Sequence, residues 1–218
     1  MGFPWDEDDP QVRSRIHANL AALRPDIVAS GRRRDPVAID LVKDWHRHTL
    51  NGVALAEPEV AGGFRGSGPQ QGQLRTYRVT VDGILQAVPP GQVRAKMSLF
   101  ERRLREKVTA LDPFIPAKAP PDQREEQVLE LCGWAHGELI YVHPFADGNG
   151  RMARALVLWL GGRYGLPVFL DLRPRPSGPS GYEAAAKASM TGRHQLMQTT
   201  LTKMLADYRT VQPAIGSG

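Results

Sequence analysis

His143-Pro144-Phe145-Ala146-Asp147-Gly148-Asn149-Gly150-Arg151-Met152-Ala153-Arg154 is the stretch on which the reading of this chain turns. It carries an imidazole, a carboxylate, two glycines around an amide and two guanidinium groups, and the apolar run Ala155 to Leu160 follows at once. That order describes a loop feeding a helix N-terminus, where backbone N–H groups lack intrahelical partners and the helix dipole favours anions. Gly148 and Gly150 remove the Cβ atoms that would hold phosphate oxygens away from those amides. Asp147 offers one carboxylate, enough for Mg²⁺, which completes its shell with phosphates and water. Arg151 and Arg154 lie on neighbouring positions of the first helical turns. Guanidinium forks at that spacing suit two successive phosphates. His143 titrates near neutrality and suits removal of a proton from an attacking hydroxyl. Phe145 is expected to anchor the loop in the core while His143 and Asp147 face outward.

Working outward, the chain reads as mainly α. Asp9-Pro10 opens a helix that keeps Val12, Ile16, Leu20 and Leu23 in helical spacing and ends near Ser30-Gly31. Asp35-Pro36 repeats the device before Val37, Leu41 and Trp45, on to Leu50. A third helix is predicted over 91–111. Asp122 with Glu125 resembles a capping box and opens a fourth, with Val128, Leu131, Ala135 and Leu139 on one stripe, ending at Val142. The motif helix runs to Tyr164, and Ser180 with Glu183 opens a further helical region to about Arg209. Tyr77 to Val81 and Ile84 to Val88 flank an Asp82-Gly83 turn, a strong hairpin signal. That hairpin is either a packed β-arm or an edge that pairs with an extended target segment. The domains expected are a helical extension over 1–35, a catalytic domain over 36–209 and a flexible tail over 210–218.

Composition narrows the function class. The chain has 218 residues, a net charge of +5 and ordinary hydrophobic content, enough for one full core. A pI near 9.6 invites a nucleic-acid partner. Yet the 28 cationic residues are dispersed and no aromatic-interleaved basic stretch occurs, which argues against one. Arg32-Arg33-Arg34, the one dense run, sits where cations complement a helix dipole. The single cysteine, Cys132, lies in an apolar helical stripe and reads as a buried small hydrophobe. With no intrachain disulfide, no membrane-length apolar run and an acidic first segment, a soluble cytoplasmic protein is expected. His17, His46, His48, His136 and His194 have no partner at zinc-ligand spacing and read as structural or surface residues.

The motif at 143–154 resembles, letter for letter, the signature of the Fic family, His-Pro-Phe-x-Asp-Gly-Asn-Gly-Arg-x-x-Arg. Ala61-Gly62-Gly63-Phe64-Arg65 and Gly181-Tyr182-Glu183-Ala184-Ala185 resemble the segment before that family's flap and the helix start behind its nucleotide pocket. The resemblance implies a helical Fic-type fold with a small β-hairpin flap, and transfer of AMP from ATP to a Ser, Thr or Tyr hydroxyl of a target protein. It implies that His143 is the base and Asp147 the Mg²⁺ ligand. It also implies that Phe145, Gly148, Asn149, Gly150, Arg151, Arg154 and Tyr182 form the nucleotide site, with Tyr77, Val79, Val81 and Ile84 as the target-binding flap. The family's phosphotransferase branch carries lysine at the position of Gly150, which argues against that branch. Alternatives are a non-catalytic nucleotide- or partner-binding module and transfer of another phosphate-containing group to a protein or small molecule. Many members are silenced by a helix with Ser/Thr-x-x-x-Glu-Gly/Asn, and none of the ten glutamates here precedes Gly or Asn. Either a separate antitoxin-like partner then supplies inhibition, as for a toxin, or the enzyme is constitutively competent, with Arg154 left free for the γ-phosphate.

Overall fold

The computed structural model describes residues 9–113, 121–172 and 181–211, with the side chains of 121 and 122 excepted. Among them are seven α-helices and one two-stranded sheet. The helices are α1 (Pro10–Arg32), α2 (Ile39–Thr49), α3 (Pro90–Leu111), α4 (Pro121–Val142), α5 (Asn149–Tyr164), α6 (Tyr182–Ser189) and α7 (Gln195–Val211); the strands are β1 (Thr80–Val81) and β2 (Leu85–Gln86). Ser180, the Asp122 side chain and the expected frayed end Ile215 to Gly218 lie outside the described residues.

The motif helix is the axis of the molecule. Every residue of α5 from Met152 to Gly161 is buried, because α1 and α4 pack along it and α2 crosses its start. An all-round apolar helix of this kind belongs in a protein interior. Two glycines bring α1 and α5 into backbone contact. A Cβ on Gly31 would stand 2.1 Å from the Trp159 carbonyl oxygen, and one on Gly162 would stand 2.7 Å from that of Val28. At the same crossing Trp159 donates its indole N–H to Ser30 Oγ at 3.1 Å. The α4 stripe of Val128, Leu131, Ala135 and Leu139 is buried as its spacing predicts. The fixed frame that results is what gives the loop at the head of α5 its position.

Three local expectations are corrected. Asp9 caps α1 through Gln11 N–H at 2.7 Å, but Asp35-Pro36 does not cap α2. That helix starts at Ile39, whose N–H is taken by Glu101 of α3 at 3.3 Å, so a long-range partner replaces the local cap. The last helical region is two helices, α6 and α7, broken at Gly192, which has φ +80°. The hairpin ladder pairs Thr80 with Gln86 and Val81 with Leu85. Asp82 and Gly83 both take positive φ and Ile84 donates to the Val81 carbonyl at 3.2 Å, so the predicted turn forms. Ile84 itself falls in the loop and is 81% exposed, not in the strand.

Candidate active site

The loop between α4 and α5 starts with a strained residue. His143 has φ +53°, a conformation that non-glycine residues rarely adopt and that persists only where surroundings impose it. The end of α4 imposes it here. That helix leaves orphan carbonyls: Leu139 receives the His143 N–H at 2.9 Å, and Ile140 receives the His143 ring at Nδ1, 3.1 Å. A carbonyl only accepts, so Nδ1 carries the hydrogen and the neutral ring keeps an unprotonated Nε2. Burial and the nearby Arg65 charge push the imidazole down to about 4, so the neutral form dominates at physiological pH.

Arg65 holds the other side of that kink. It is 1% exposed, and among the described residues no carboxylate pairs with it. Nε donates to the His143 carbonyl at 2.7 Å and Nη2 to those of Val142 at 3.1 Å and Val88 at 2.9 Å. Nη1 reaches Tyr77 at 3.2 Å, while the Arg65 backbone N–H takes Pro144 at 2.7 Å. One residue therefore ties carbonyls 142–144 to both ends of the flap. Burial lowers its guanidinium to about 10, still charged at neutral pH.

The rest of the loop rests on α2. His46 receives the Gly62 N–H on Nδ1 at 2.9 Å, so Nε2 carries the hydrogen and donates to the Asp147 carbonyl at 3.0 Å. Its ring stacks on Phe145 at 4.0 Å, and burial pushes it down to about 3. Phe145 is fully buried between His46 and Phe64, so its ring supports the loop from below. Asn149 turns inward too, its amide exchanging hydrogen bonds with the Phe145 backbone N–H and carbonyl at 2.9 Å each. Its side chain shapes the loop. Gly148, with φ +76°, has no space for a side chain, since a Cβ would meet Arg151 Nη2 at 3.2 Å and His46 Nε2 at 3.3 Å. Gly150 is different: its φ is ordinary and a Cβ would find only Arg154 Nη1, at 3.5 Å. The fold does not require that glycine.

The charged groups divide by burial. Asp147 is 40% exposed and accepts from Arg151 Nη2 at 2.8 Å, while Arg151 is almost wholly buried. Among the described residues no group of three His, Cys, Asp or Glu side chains converges. A single accessible carboxylate fits a magnesium ion that arrives with its phosphates. Arg154 is 3% exposed and is not free. Nη2 and Nε hold the Leu172 carbonyl at 2.6 and 3.2 Å, and Nη1 meets the Tyr182 hydroxyl at 3.2 Å. That hydroxyl also lies 2.7 Å from His136 Nε2, and burial pushes His136 down to about 3. Tyr182 is thus set behind Arg154. Tyr77 leans over the loop, where burial and the Asp147 charge push its hydroxyl above the usual phenol range. Val81 packs on the core edge as Tyr77 does, whereas Ile84 projects into solvent. Cys132 is buried and pushed up to about 12, unfit as a nucleophile.

Sequence reasoning missed three supports of this site: His46, Arg65 and the Leu172 carbonyl. A lone histidine carries no spacing signal, and a carbonyl carries none at all. The signal for Arg65 was its place after Gly62-Gly63-Phe64, where an arginine beside a close-packed turn can reach backbone.

Residues 36–160 match the family model described as Fic/DOC. The chain is 30% identical to protein adenylyltransferase fic-1 of Caenorhabditis elegans over 66% of its own length and 23% of that protein's. It is 27% identical to protein adenylyltransferase Fic of Nematostella vectensis over 62% of its length and 25% of that protein's. The chain thus spans about a quarter of the curated relatives it matches. A crystal structure of a Fic domain-containing signalling protein from Bacteroides thetaiotaomicron superposes with a TM-score of 0.62 at 17% identity, covering 92% of this chain and 70% of that one. With the family model spanning more than half of its residues and ending within the buried helix that carries the motif, this chain belongs to the Fic/DOC family.

Proposed function

We propose that this chain transfers AMP from ATP to a Ser, Thr or Tyr hydroxyl of a protein. The observation that carries the reading is the His143 ring, held by Ile140 so that the neutral Nε2 is the acceptor. Phosphate binding alone has no use for a base in that position. In the proposed reaction the target hydroxyl oxygen attacks the α-phosphorus and its proton passes to His143 Nε2. The bond from the α-phosphorus to the bridging oxygen breaks, and pyrophosphate leaves. The α5 N-terminus at Gly148–Gly150 would meet the phosphates, with the buried charges of Arg151 and Arg154 behind it adding to the positive field. Asp147 would hold Mg²⁺, which supplies charge neutralisation on the phosphates. The outward edge of the flap strand over 79–81, at Thr80, whose backbone groups face away from Leu85–Gln86, would pair with the target backbone. The adenylyltransferase names of the relatives support the AMP reading. Inhibition by an antitoxin is a separate proposal, resting on the absence of Glu-Gly and Glu-Asn pairs in the sequence; Arg154, expected to be left free, is engaged by Leu172 and Tyr182.

The test uses ATP labelled at the α- or the γ-phosphate, with a lysate as the source of targets. Label should move to protein from the α-position only. His143→Ala should lower transfer by about 10²-fold or more with ATP affinity preserved. Transfer of the γ-label, or a His143→Ala protein keeping more than about a tenth of the activity, would falsify this mechanism.

A further inference from the structure

A groove of about 760 Å³ lies between α2, the loop 59–68 and the start of α3, and no step of the proposed reaction uses it. Its lining includes the apolar Ile39, Met97 and Phe64, alongside charged groups. Lys43, Arg47, Arg75 and Arg94 stand against the carboxylates Asp40 and Glu59, so the balance is positive. Lys43 is taken by Asp40 at 3.0 Å and Arg47 by Asp44. Arg75 and Arg94 are exposed, and among the described residues neither has an ion-pair or hydrogen-bond partner for its guanidinium. Arg65 adds a buried charge to the same wall, answered among the described residues by carbonyls alone.

We propose that this groove docks an acidic segment of the protein that the enzyme modifies, a proposal that rests on the transfer reading above. An apolar lining with a mixed but cation-rich charge set suits a polypeptide, which can seat an apolar side chain on Phe64 and reach Arg75 and Arg94 with carboxylates. A nucleic-acid backbone would instead run its phosphates past Asp40 and Glu59. The groove also adjoins the catalytic loop. Phe64 packs on Phe145 and the Arg65 N–H holds Pro144, so the docked segment lies on the flank of the chemistry.

The probe is a fluorescein-labelled decamer of glutamate, with a glutamine decamer and a short duplex DNA as comparisons, read by fluorescence anisotropy without ATP. The intact chain should bind the glutamate decamer at least about tenfold more tightly than the glutamine one, and more weakly as salt rises. Arg75→Glu with Arg94→Glu should abolish that preference and lower α-label transfer to lysate protein, with ATP affinity unchanged. Arg75→Gln with Arg94→Gln serves if the charge reversal unfolds the chain. Equal binding of both peptides, tighter binding of the duplex, or a preference that survives the double substitution would overturn the groove. Peptide binding that follows the proposal while no α-label moves would sink the transfer reading and leave the groove as an acidic-peptide site.

Discussion

The catalytic loop and the flap stand side by side yet are built on opposite terms. In the loop from His143 to Gly150, His46, Arg65 and Asn149 between them hold backbone groups of every residue from His143 to Asp147 except Ala146. The flap has a ladder two residues long on each side, and Ile84 at its tip is in solvent. What joins them is Arg65, bonded to Val142 and His143 on one side and to Tyr77 and Val88 on the other. The proposed transfer would need a base fixed to a fraction of an ångström and a target-binding edge able to accept different chains. The two regions divide those needs between them.

The largest effect expected is on two buried histidines behind the site, His46 under the loop and His136 beside Tyr182. His46 and His136 are held down to about 3, against about 6.5 in an unfolded chain. Below pH 6.5 the unfolded state binds protons that the native state refuses, so stability is full above that pH and is lost as pH falls toward 3. Each ring should cost about 2 kcal/mol between pH 6.5 and pH 5. Urea unfolding at pH 7, 6 and 5 reads this directly. A midpoint that does not move would mean these rings accept protons in the fold and that the loop is looser than the flap comparison requires.

Next comes Arg65, the shared element. Arg65→Gln removes charged hydrogen bonds to buried carbonyls, at about 3 kcal/mol or more. Arg65→Lys keeps the charge but not the fork, and should fold with a smaller loss. In that variant transfer should fall at least about tenfold while ATP affinity is retained, because the kink at His143 relaxes and the phosphate-facing backbone does not. Full activity in folded Arg65→Lys would show that the loop and the flap do not depend on one another.

Proline in the flap probes the weaker partner. Ala87 donates to Val79 at 3.1 Å, so the antiparallel alternation makes Val81 and Leu85 the next exchanging pair. Val81→Pro removes a ladder donor, while Ile84→Pro removes only the turn bond to Val81. Target modification should fall about fivefold or more in the first and less in the second, with ATP affinity steady in both. Equal, undiminished modification would make the hairpin a packing arm.

The comparison also explains what could be read from residues alone. The loop at the head of α5 was legible because His143, Asp147 and the two glycines are local in sequence and glycine at 148 answers a positive φ. The turn at Asp82-Gly83 was legible because positive φ selects those residues. The supports were not. His46, Arg65 and Leu172 lie 101, 78 and 18 residues from their partners, and no periodicity records such contacts. The inward turn of Phe145 and Asn149 was half legible, since burial of a Phe is expected but an Asn amide closing on backbone four residues away is not. Arg154 was read as free because its restraint is a carbonyl in a distant loop.

A last pair of substitutions separates folding from function within the loop itself. Gly148→Ala should destabilise by about 1–2 kcal/mol, since φ +76° is strained for a residue with a Cβ and Arg151 and His46 stand 3.2 and 3.3 Å from where it would lie. Gly150→Ala meets no such obstacle: its nearest neighbour is Arg154 Nη1 at 3.5 Å, an ordinary contact. On helix propensity alone that change should leave stability equal or raise it by up to about 0.5–1 kcal/mol. If the glycine is there to let a phosphate approach the helix N-terminus, the same methyl group should weaken ATP binding by about tenfold, which is about 1.4 kcal/mol. Urea midpoints and calorimetric ATP titrations on the two variants give four numbers. The expected pattern has stability falling at 148 and affinity falling at 150 without a stability loss. A Gly150→Ala protein that binds ATP like the parent would mean that this cleft holds its nucleotide by side chains, and the α5 N-terminus would lose its assigned part.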